Sequence, residues 1–263
     1  MPQPQELYDR EYFLSDRCEG YEAFEACRGV SRVKGRQVAL LAPGPRVRIL
    51  DAGCGRGEVL FACARAGADV AGIDLSEAAT EIARETLAEV AGSEIVRGSV
   101  VALPWPEATF DRVLCADVVE HLDAAHARRA VGEFYRVLRP GGVLLVHTSP
   151  NRVFRRLTWP LAGPMLRAAG LRENAERIDA WLADALRYHV NEQTLHGLRR
   201  LVRRAGFADL RAWLDPDAVR GGEHHLTAGL DSSRLVASLS ALTAWRPVRL
   251  LLSNDIYVIG RRP

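Results

Sequence analysis

The stretch that decides the fold of this chain is Val47-Arg48-Ile49-Leu50-Asp51-Ala52-Gly53-Cys54-Gly55-Arg56-Gly57. It predicts a buried strand that runs into a glycine-rich turn and then into a helix over Glu58–Ala66. Three glycines at alternate positions remove side chains where the backbone must bend and where a ligand can lie against it. The main-chain N–H groups of such a turn are available to a polar or anionic group. The turn therefore predicts a small-molecule site.

A second signal follows in Asp69-Val70-Ala71-Gly72-Ile73-Asp74, a short apolar strand that ends in a carboxylate. Open α/β sheets bind ligands at this end of their strands, and a carboxylate there can accept both hydroxyl protons of a ribose. A dinucleotide-binding fingerprint would need its third glycine at position 58, where this chain has Glu58. The glycine spacing therefore disfavours a nicotinamide or flavin site.

Strands and helices alternate along residues 47–147, which predicts a parallel sheet with helices on both faces. Pro140-Gly141-Gly142 is expected to end one of these helices and to turn it into a strand. The predicted strands are Arg48–Asp51, Val70–Ile73, Glu94–Val96, Arg112–Cys115, Val143–His147, Asp209–Leu214 and Ile256–Arg261. The predicted helices are Glu58–Ala66, Ser76–Val90, Ala124–Leu138 and Glu192–Ala205, the last capped by His189-Val190-Asn191.

The pattern Asp-x-Gly-x-Gly-x-Gly at Asp51–Gly57, with Asp74 ending the next strand, resembles the class I S-adenosylmethionine-dependent methyltransferases. The resemblance is closest to small-molecule methyltransferases of type 11/12 and to quinone-biosynthesis methyltransferases. Its later motifs are Leu103-Pro104-Trp105, Phe110-Asp111, Asp117-Val118-Val119-Glu120-His121-Leu122 and Glu133–Gly142. It implies an α/β, Rossmann-like fold: a seven-stranded, mostly parallel sheet with helices on both faces and an antiparallel last strand.

The resemblance also implies a function, S-adenosylmethionine-dependent methyl transfer to a small-molecule acceptor with S-adenosylhomocysteine as product. Oxygen is the favoured acceptor atom, with nitrogen or carbon next. The alternative is a regulatory or scaffold protein that binds the cofactor without catalysis, since Ser99 stands where relatives commonly have a cofactor-binding aspartate. The residues implied in cofactor binding are Asp51, Gly53, Cys54, Gly55, Arg56, Gly57, Asp74, Leu75, Ser99, Val100 and Asp117.

His121 is the candidate catalytic base, because an imidazole can take a proton from a phenol or a protonated amine near neutral pH. A structural pairing of Glu120 with His121 explains the motif equally well. A third interpretation makes Asp117, Glu120 and His121 ligands of a divalent cation, which three near-contiguous residues indicate only weakly. We therefore predict no metal site. His189 is assigned to a turn.

The expected organisation is an N-terminal helical cap over residues 1–46 and a methyltransferase domain over residues 47–263. This domain carries lid insertions at about residues 152–188 and 215–252. Both insertions contain more apolar residues than an exposed loop should, so we expect them to cover the acceptor pocket. Peripheral membrane contact is the alternative, since the formal charge is +7 over residues 151–263 but −5 over the rest.

No apolar run approaches the length of a membrane span, and no secretory leader opens the chain, so we expect a cytoplasmic protein. The five cysteines include no C-x-x-C pair, which indicates reduced thiols. A nucleic-acid substrate is not expected, because the chain has no Asn-Pro-Pro-Tyr-like tetrad for a flipped base. The sequence leaves the oligomeric state open.

Overall fold

The computed structural model describes residues 8–15, 17–27, 29–168, 170, 172–215 and 253–263. Within these residues a seven-stranded sheet has the order β3-β2-β1-β4-β5-β7-β6. Strand β7 runs antiparallel to both neighbours, whereas the remaining pairs are parallel. The strands are β1 Arg48–Ala52, β2 Asp69–Asp74, β3 Glu94–Arg97, β4 Phe110–Ala116, β5 Leu138–Thr148, β6 Ala208–Asp215 and β7 Asp255–Arg261. The predicted fold class is confirmed.

Helices cover both faces of the sheet. Helices α3, α4 and α5 share one buried apolar cluster with β1 and β2, and helices α6 and α9 share another with β4, β5 and β7. The helices in the described part of the chain are α1 Arg10–Phe13, α2 Tyr21–Cys27, α3 Arg32–Leu41, α4 Glu58–Arg65, α5 Glu77–Thr86, α6 Ala124–Val137, α7 Trp159–Ala168, α8 Arg172–Tyr188 and α9 Leu195–Arg204.

Two predicted boundaries are wrong. Strand β5 begins directly after α6 at Leu138, so Pro140-Gly141-Gly142 lies inside the strand, where Gly141 N–H donates to the Arg262 carbonyl. Helix α9 begins at Leu195 because the hydroxyl of Thr194 accepts the Gly197 N–H at its N-terminus. The N-cap is therefore Thr194 and not Asn191.

The first insertion is helical. It consists of a π-helical turn, Phe154–Thr158, followed by α7 and α8, which pack against each other around Phe154, Trp159 and Ile178. The second predicted insertion lies outside the described residues, apart from Asp215 at the end of β6. Among the helices that are described, none combines the length and the apolar character needed to cross a bilayer.

Candidate functional site

The glycine-rich turn after β1 lies against the ends of β2 and β4. The N–H groups of Gly53 and Cys54 donate to the Ile73 carbonyl, at 2.8 and 3.1 Å. Gly53 has a φ of +94°, and a Cβ atom there would lie 2.2 Å from Cγ2 of Val118. A side chain at Gly53 would therefore separate the turn from the loop after β4. Glycine keeps these two parts of the site together.

Asp74 at the end of β2 is tied to the same turn. Its Oδ2 accepts the Gly55 N–H at 3.0 Å, and its Oδ1 accepts the Ser76 N–H at 2.9 Å. Burial raises the pKa of this carboxyl, whereas the bound N–H groups lower it. Each carboxylate oxygen has a second lone pair, so Asp74 can also accept hydroxyl protons from a ligand. Leu75 beside it is 44% exposed, which places apolar surface next to the carboxylate.

The chain after β3 reaches the same edge of the sheet. The Gly98 N–H donates to the main-chain carbonyl of Asp74 at 2.9 Å, which brings Ser99 and Val100 next to the end of β2. Val100 is buried and Ser99 is partly exposed. Ser99 therefore offers a hydroxyl group at this edge.

Asp51 precedes the turn in β1 and is buried. Burial raises the pKa of this carboxyl well above its ordinary value; the charges of Glu58 and Asp74 add to that rise, and Lys34 opposes it. A cationic amino group next to Asp51 would favour the charged form. Its predicted role, as an anchor of the turn or as a contact of such an amino group, stays a prediction.

The Arg56 side chain is fully buried and faces the N-terminal helices. Its Nη1 donates to the Phe13 carbonyl at 2.8 Å, and its Nη2 donates to the Glu19 carbonyl at 2.6 Å and to Glu58 Oε1 at 2.7 Å. These bonds attach the segment around α1 to the turn. Any cofactor contact of Arg56 is therefore left to its main chain. Cys54 is a buried free thiol whose pKa is raised well above its ordinary value by burial.

A buried histidine connects the loop after β4 to the last strand. His147 Nδ1 lies 3.2 Å from Oδ2 of Asp117, and its Nε2 lies 2.9 Å from Oδ1 of Asp255. Burial acts to lower the His147 pKa, but Asp117, Tyr257 and Asp255 together raise it well above the ordinary value. Burial likewise acts to raise the Asp117 pKa, but His147 lowers it below the ordinary value. His147 therefore holds Asp117, which has a φ of +53°, at the edge of the site.

We expect His147→Gln to lower the free energy of unfolding by about 1–2 kcal/mol at pH 6, because a charge-assisted hydrogen bond is lost. A raised folded-state pKa means that protonated His147 stabilises the fold fully below about pH 6.5, and that this stabilisation is lost as the pH rises through the folded-state pKa. Asp117, with its lowered pKa, contributes above about pH 3.9 and loses its contribution as the pH falls. The effect of the variant should therefore shrink from pH 6 to pH 9.

Urea unfolding at both pH values measures this effect. His126→Gln is the matched control, since His126 pairs with Asp123 on the exposed surface of α6. An equal loss of stability at pH 6 and pH 9 would contradict a charged His147.

Glu120 joins the loop after β4 to the end of the first insertion. Its carbonyl accepts the N–H groups of Val190 and Asn191, both at 2.9 Å, and its carboxyl accepts the Thr148 hydroxyl at 2.8 Å. The side chain is buried, and burial, followed by the charge of Asp117, raises its pKa well above the ordinary value. Glu120 thus fixes the chain that carries His189 beside the loop.

His121 lies between the N-terminal segment and the first insertion. The Tyr8 hydroxyl is 3.1 Å from His121 Nδ1, and the His189 ring meets the His121 ring edge to face, with centroids 4.7 Å apart. Burial, and then the charge of His121, lowers the His189 pKa to about 3, so His189 is neutral near pH 7. The Tyr8 carbonyl accepts the Ser76 hydroxyl at 2.7 Å, so one residue spans the two sides of the site.

Part of the chain is similar to a known family. Residues 50–146 match a family described as a methyltransferase domain. Over these residues the chain is therefore similar to a methyltransferase domain, in line with the motifs at Asp51–Gly57 and Asp74.

Two curated relatives of the chain show how far the similarity extends. One is a probable S-adenosylmethionine-dependent methyltransferase of Mycolicibacterium smegmatis, 42% identical over 106 residues, which are 40% of this chain and 38% of the relative. The other is a ubiquinone biosynthesis O-methyltransferase of Methylocella silvestris, 39% identical over 137 residues, which are 50% of this chain and 52% of the relative. The chain thus spans about half, or less, of the length of these relatives.

A solved structure shares the fold. It is geranyl diphosphate C-methyltransferase from Streptomyces coelicolor A3(2), in complex with Mg²⁺, geranyl diphosphate and S-adenosylhomocysteine. Its TM-score is 0.61 at 16% identity, and the match covers 97% of this chain and 89% of that one. At this identity the likeness shows the fold alone.

The chain has groups that fit S-adenosylmethionine, the cofactor that this similarity implies. Asp74 offers two oriented oxygens for the ribose hydroxyls, and Leu75 beside it offers exposed apolar surface for the adenine. In the glycine-rich turn a Cβ atom at Gly55 would meet only Cε1 of Phe13 within 4 Å, at 3.7 Å, so the backbone there is open to close approach. These residues fit the cofactor.

The described residues also include a group of side chains that could hold a cation. The ligand atoms of Glu120, His121 and His189 lie within 4.8 Å of one another. The ligand set that the sequence indicated only weakly had Asp117 in place of His189, but Asp117 contacts His147 instead. The sequence did not predict the contact between His189 and His121. The two residues are 68 positions apart, and no local pattern indicates that their rings meet.

Proposed function

We propose that this chain transfers a methyl group from S-adenosylmethionine to a small-molecule acceptor, with oxygen as the acceptor atom. The observation that carries the proposal is the position of Tyr8. Its carbonyl binds Ser76, two residues after Asp74, and its hydroxyl lies at His121. The carboxylate suited to a ribose and the candidate base therefore lie on either side of a single residue.

Cofactor binding is assigned to one edge of the sheet. Asp74 would hold the ribose hydroxyls and Leu75 would pack on the adenine. The turn at residues 53–57 would receive the methionine part, with Asp51 and Asp117 as carboxylates for its amino group. Ser99 and Val100 would complete the adenine side. Asp117 is suited to this place because His147 keeps it ionised and fixed.

Chemistry requires little more than alignment and one proton acceptor. The cofactor supplies a methyl group on a positively charged sulfur, so positioning and exclusion of water account for much of the catalysis. When His121 Nδ1 donates its proton to the Tyr8 oxygen, Nε2 is left as an acceptor. It can then take the proton from the acceptor hydroxyl as the new bond forms. Tyr8 is the positioning residue that holds the His121 ring in this orientation.

The acceptor side is assigned to the first insertion, which is joined to the loop of His121 through Glu120 and residues 190–191. The ubiquinone-pathway relatives methylate oxygen by their names, which supports oxygen as the acceptor atom. An apolar, phenol-like acceptor fits the neutral His189 ring next to His121. A cytoplasmic location stays a prediction from the sequence.

The test is transfer of a tritiated methyl group from S-adenosylmethionine to a panel of phenols, catechols, amines and quinone precursors, with and without EDTA. We expect a phenolic or catecholic acceptor to be methylated and EDTA to leave the rate unchanged. Binding of S-adenosylhomocysteine with no transfer to any acceptor would instead support the non-catalytic alternative. Loss of transfer in EDTA, restored by Mg²⁺, would assign Glu120, His121 and His189 to a cation.

We expect Tyr8→Phe to lower kcat about 5- to 30-fold, because the hydrogen bond that orients the His121 ring is worth about 1–2 kcal/mol. Tyr21→Phe is the matched control, since it removes a hydroxyl from the same N-terminal segment, where that hydroxyl donates to the exposed Glu25 at 2.8 Å. Steady-state kinetics with the best acceptor measures both variants. Equal kcat values for the two variants would remove Tyr8 from the site.

A further inference from the structure

An apolar stripe on the first insertion faces outward. Leu157, Leu161 and Met165 are 60%, 71% and 70% exposed, and Pro160 and Pro164 between them are exposed as well. Their spacing of three and four residues places all five on one face of the π-helical turn and α7. We call these five residues the outer stripe. Soluble surfaces rarely expose so many large apolar side chains together.

The opposite face of the same helix is packed, so the outer stripe is not available to the core. Phe154 and Trp159 are buried against Ile178 and Leu182 of α8. The Trp159 Nε1–H donates to Asp179 Oδ1 at 2.8 Å, which fixes the rotation of α7 about its axis. The orientation of the outer stripe is therefore set by well-packed contacts on the inner side.

Two exposed arginines, Arg152 and Arg156, lie in the turns before Leu157. Residues 151–172 contain five arginines and no aspartate or glutamate. Arg155 and Arg167 are paired with Glu192 and Asp179, which leaves Arg152 and Arg156 as the exposed charges at this end of the outer stripe. Exposed arginines bordering an apolar helix face match the anionic headgroups and upper acyl chains of a lipid surface.

We propose that the outer stripe docks this protein on an anionic lipid bilayer, with Arg152 and Arg156 on the headgroups. From Leu157 to Met165 the helix extends about 12 Å, far less than the about 30 Å hydrocarbon core, so it lies in the plane of the interface. A two-fold dimer through the same face would place Arg152 and Arg156 of both copies at one interface, where their like charges repel. A lipid surface therefore satisfies both the apolar and the charged part of this face.

Docking would bring the candidate site to the lipid surface. The Arg152 N–H donates to the Gln193 carbonyl at 2.9 Å, and Arg155 pairs with Glu192, so the start and the end of the insertion are joined. The same end carries His189 and is bound to Glu120. The membrane proposal does not depend on methyl transfer, since binding is measured without cofactor or acceptor.

The test is co-sedimentation of the full chain with vesicles of phosphatidylcholine alone and of phosphatidylcholine with phosphatidylglycerol. We expect binding to the anionic vesicles to exceed binding to the neutral ones. Leu161→Glu with Met165→Glu should lower the partition coefficient at least about tenfold, because two apolar side chains leave the interface. Both positions are exposed, so the fold should be kept. Arg152→Glu with Arg156→Glu should lower it on anionic vesicles only.

Two control variants make the same changes in charge on surfaces away from the outer stripe. Ala88→Glu with Ala91→Glu adds two acids to the exposed turn after α5, and Arg128→Glu with Arg129→Glu reverses two exposed charges on α6. Both controls should bind vesicles more tightly than the outer-stripe variants. Failure of the unaltered chain to bind anionic vesicles would overturn the proposal. So would a dimer, seen by analytical ultracentrifugation, that the Leu161→Glu, Met165→Glu variant dissociates while vesicle binding is unchanged.

Discussion

Replacing Asp74 by alanine is expected to weaken binding of S-adenosylmethionine and of S-adenosylhomocysteine by roughly 2–4 kcal/mol, since two charge-assisted contacts to the ribose are lost. Asp74→Asn should lose less, because its amide oxygen can still accept the Gly55 N–H and one hydroxyl proton. Isothermal titration calorimetry measures both affinities. NAD should bind to neither the unaltered chain nor the variants.

Asp69→Ala is the control for this prediction. It removes an exposed carboxylate from the opposite end of β2 and should leave affinity unchanged. Because Asp74 also holds the turn through Gly55, thermal unfolding of each variant must show that the fold is kept. A folded Asp74→Ala variant with unchanged affinity would remove Asp74 from the site.

His121→Ala is expected to lower kcat by about a hundredfold or more while cofactor affinity stays nearly unchanged, because general base catalysis of this kind contributes about 10²–10⁴-fold. The unaltered chain should lose activity as the pH falls and the imidazole becomes protonated, and this limb of the profile should be absent in the variant. Steady-state kinetics across pH, beside calorimetry of S-adenosylhomocysteine, separates the two effects.

His126→Ala is the control, since it removes a second histidine from the start of α6, outside the site. Its kcat and pH profile should match those of the unaltered chain. Full activity of His121→Ala in metal-free buffer would exclude both the base and the cation roles of His121.

Local patterns predicted most of the fold. Alternating apolar strands and amphipathic helices gave β1, β2, β3 and β4 and helices α4, α5 and α6 to within a few residues, because each signal lies inside its own segment. The seven-stranded, mostly parallel sheet and its antiparallel last strand came from the resemblance and are confirmed, whereas the order of the strands came from the structure. Side-chain capping at Thr194 was missed, since Asn191 offered a competing N-cap three residues earlier.

The candidate site could be predicted only where its residues belong to one motif. Asp74 ends β2, and the turn at residues 53–57 follows the neighbouring strand β1. The carboxyl ends of parallel neighbours lie at the same edge of the sheet, so the two lie together. The partners of His121 come from two distant segments, Tyr8 and His189. The spacing of residues along the sequence does not predict contacts between segments so far apart. The same holds for Arg56, whose side chain faces the N-terminal helices.

A crystal structure of the chain with S-adenosylhomocysteine tests the assigned cofactor site most directly. We predict that both ribose hydroxyls lie within hydrogen-bond distance of the Asp74 carboxylate, with the adenine on Leu75 and the sulfur facing His121 across the acceptor side. A product molecule bound away from Asp74, or with its sulfur turned from His121, would contradict the assignment of this edge of the sheet as the methyl-transfer site.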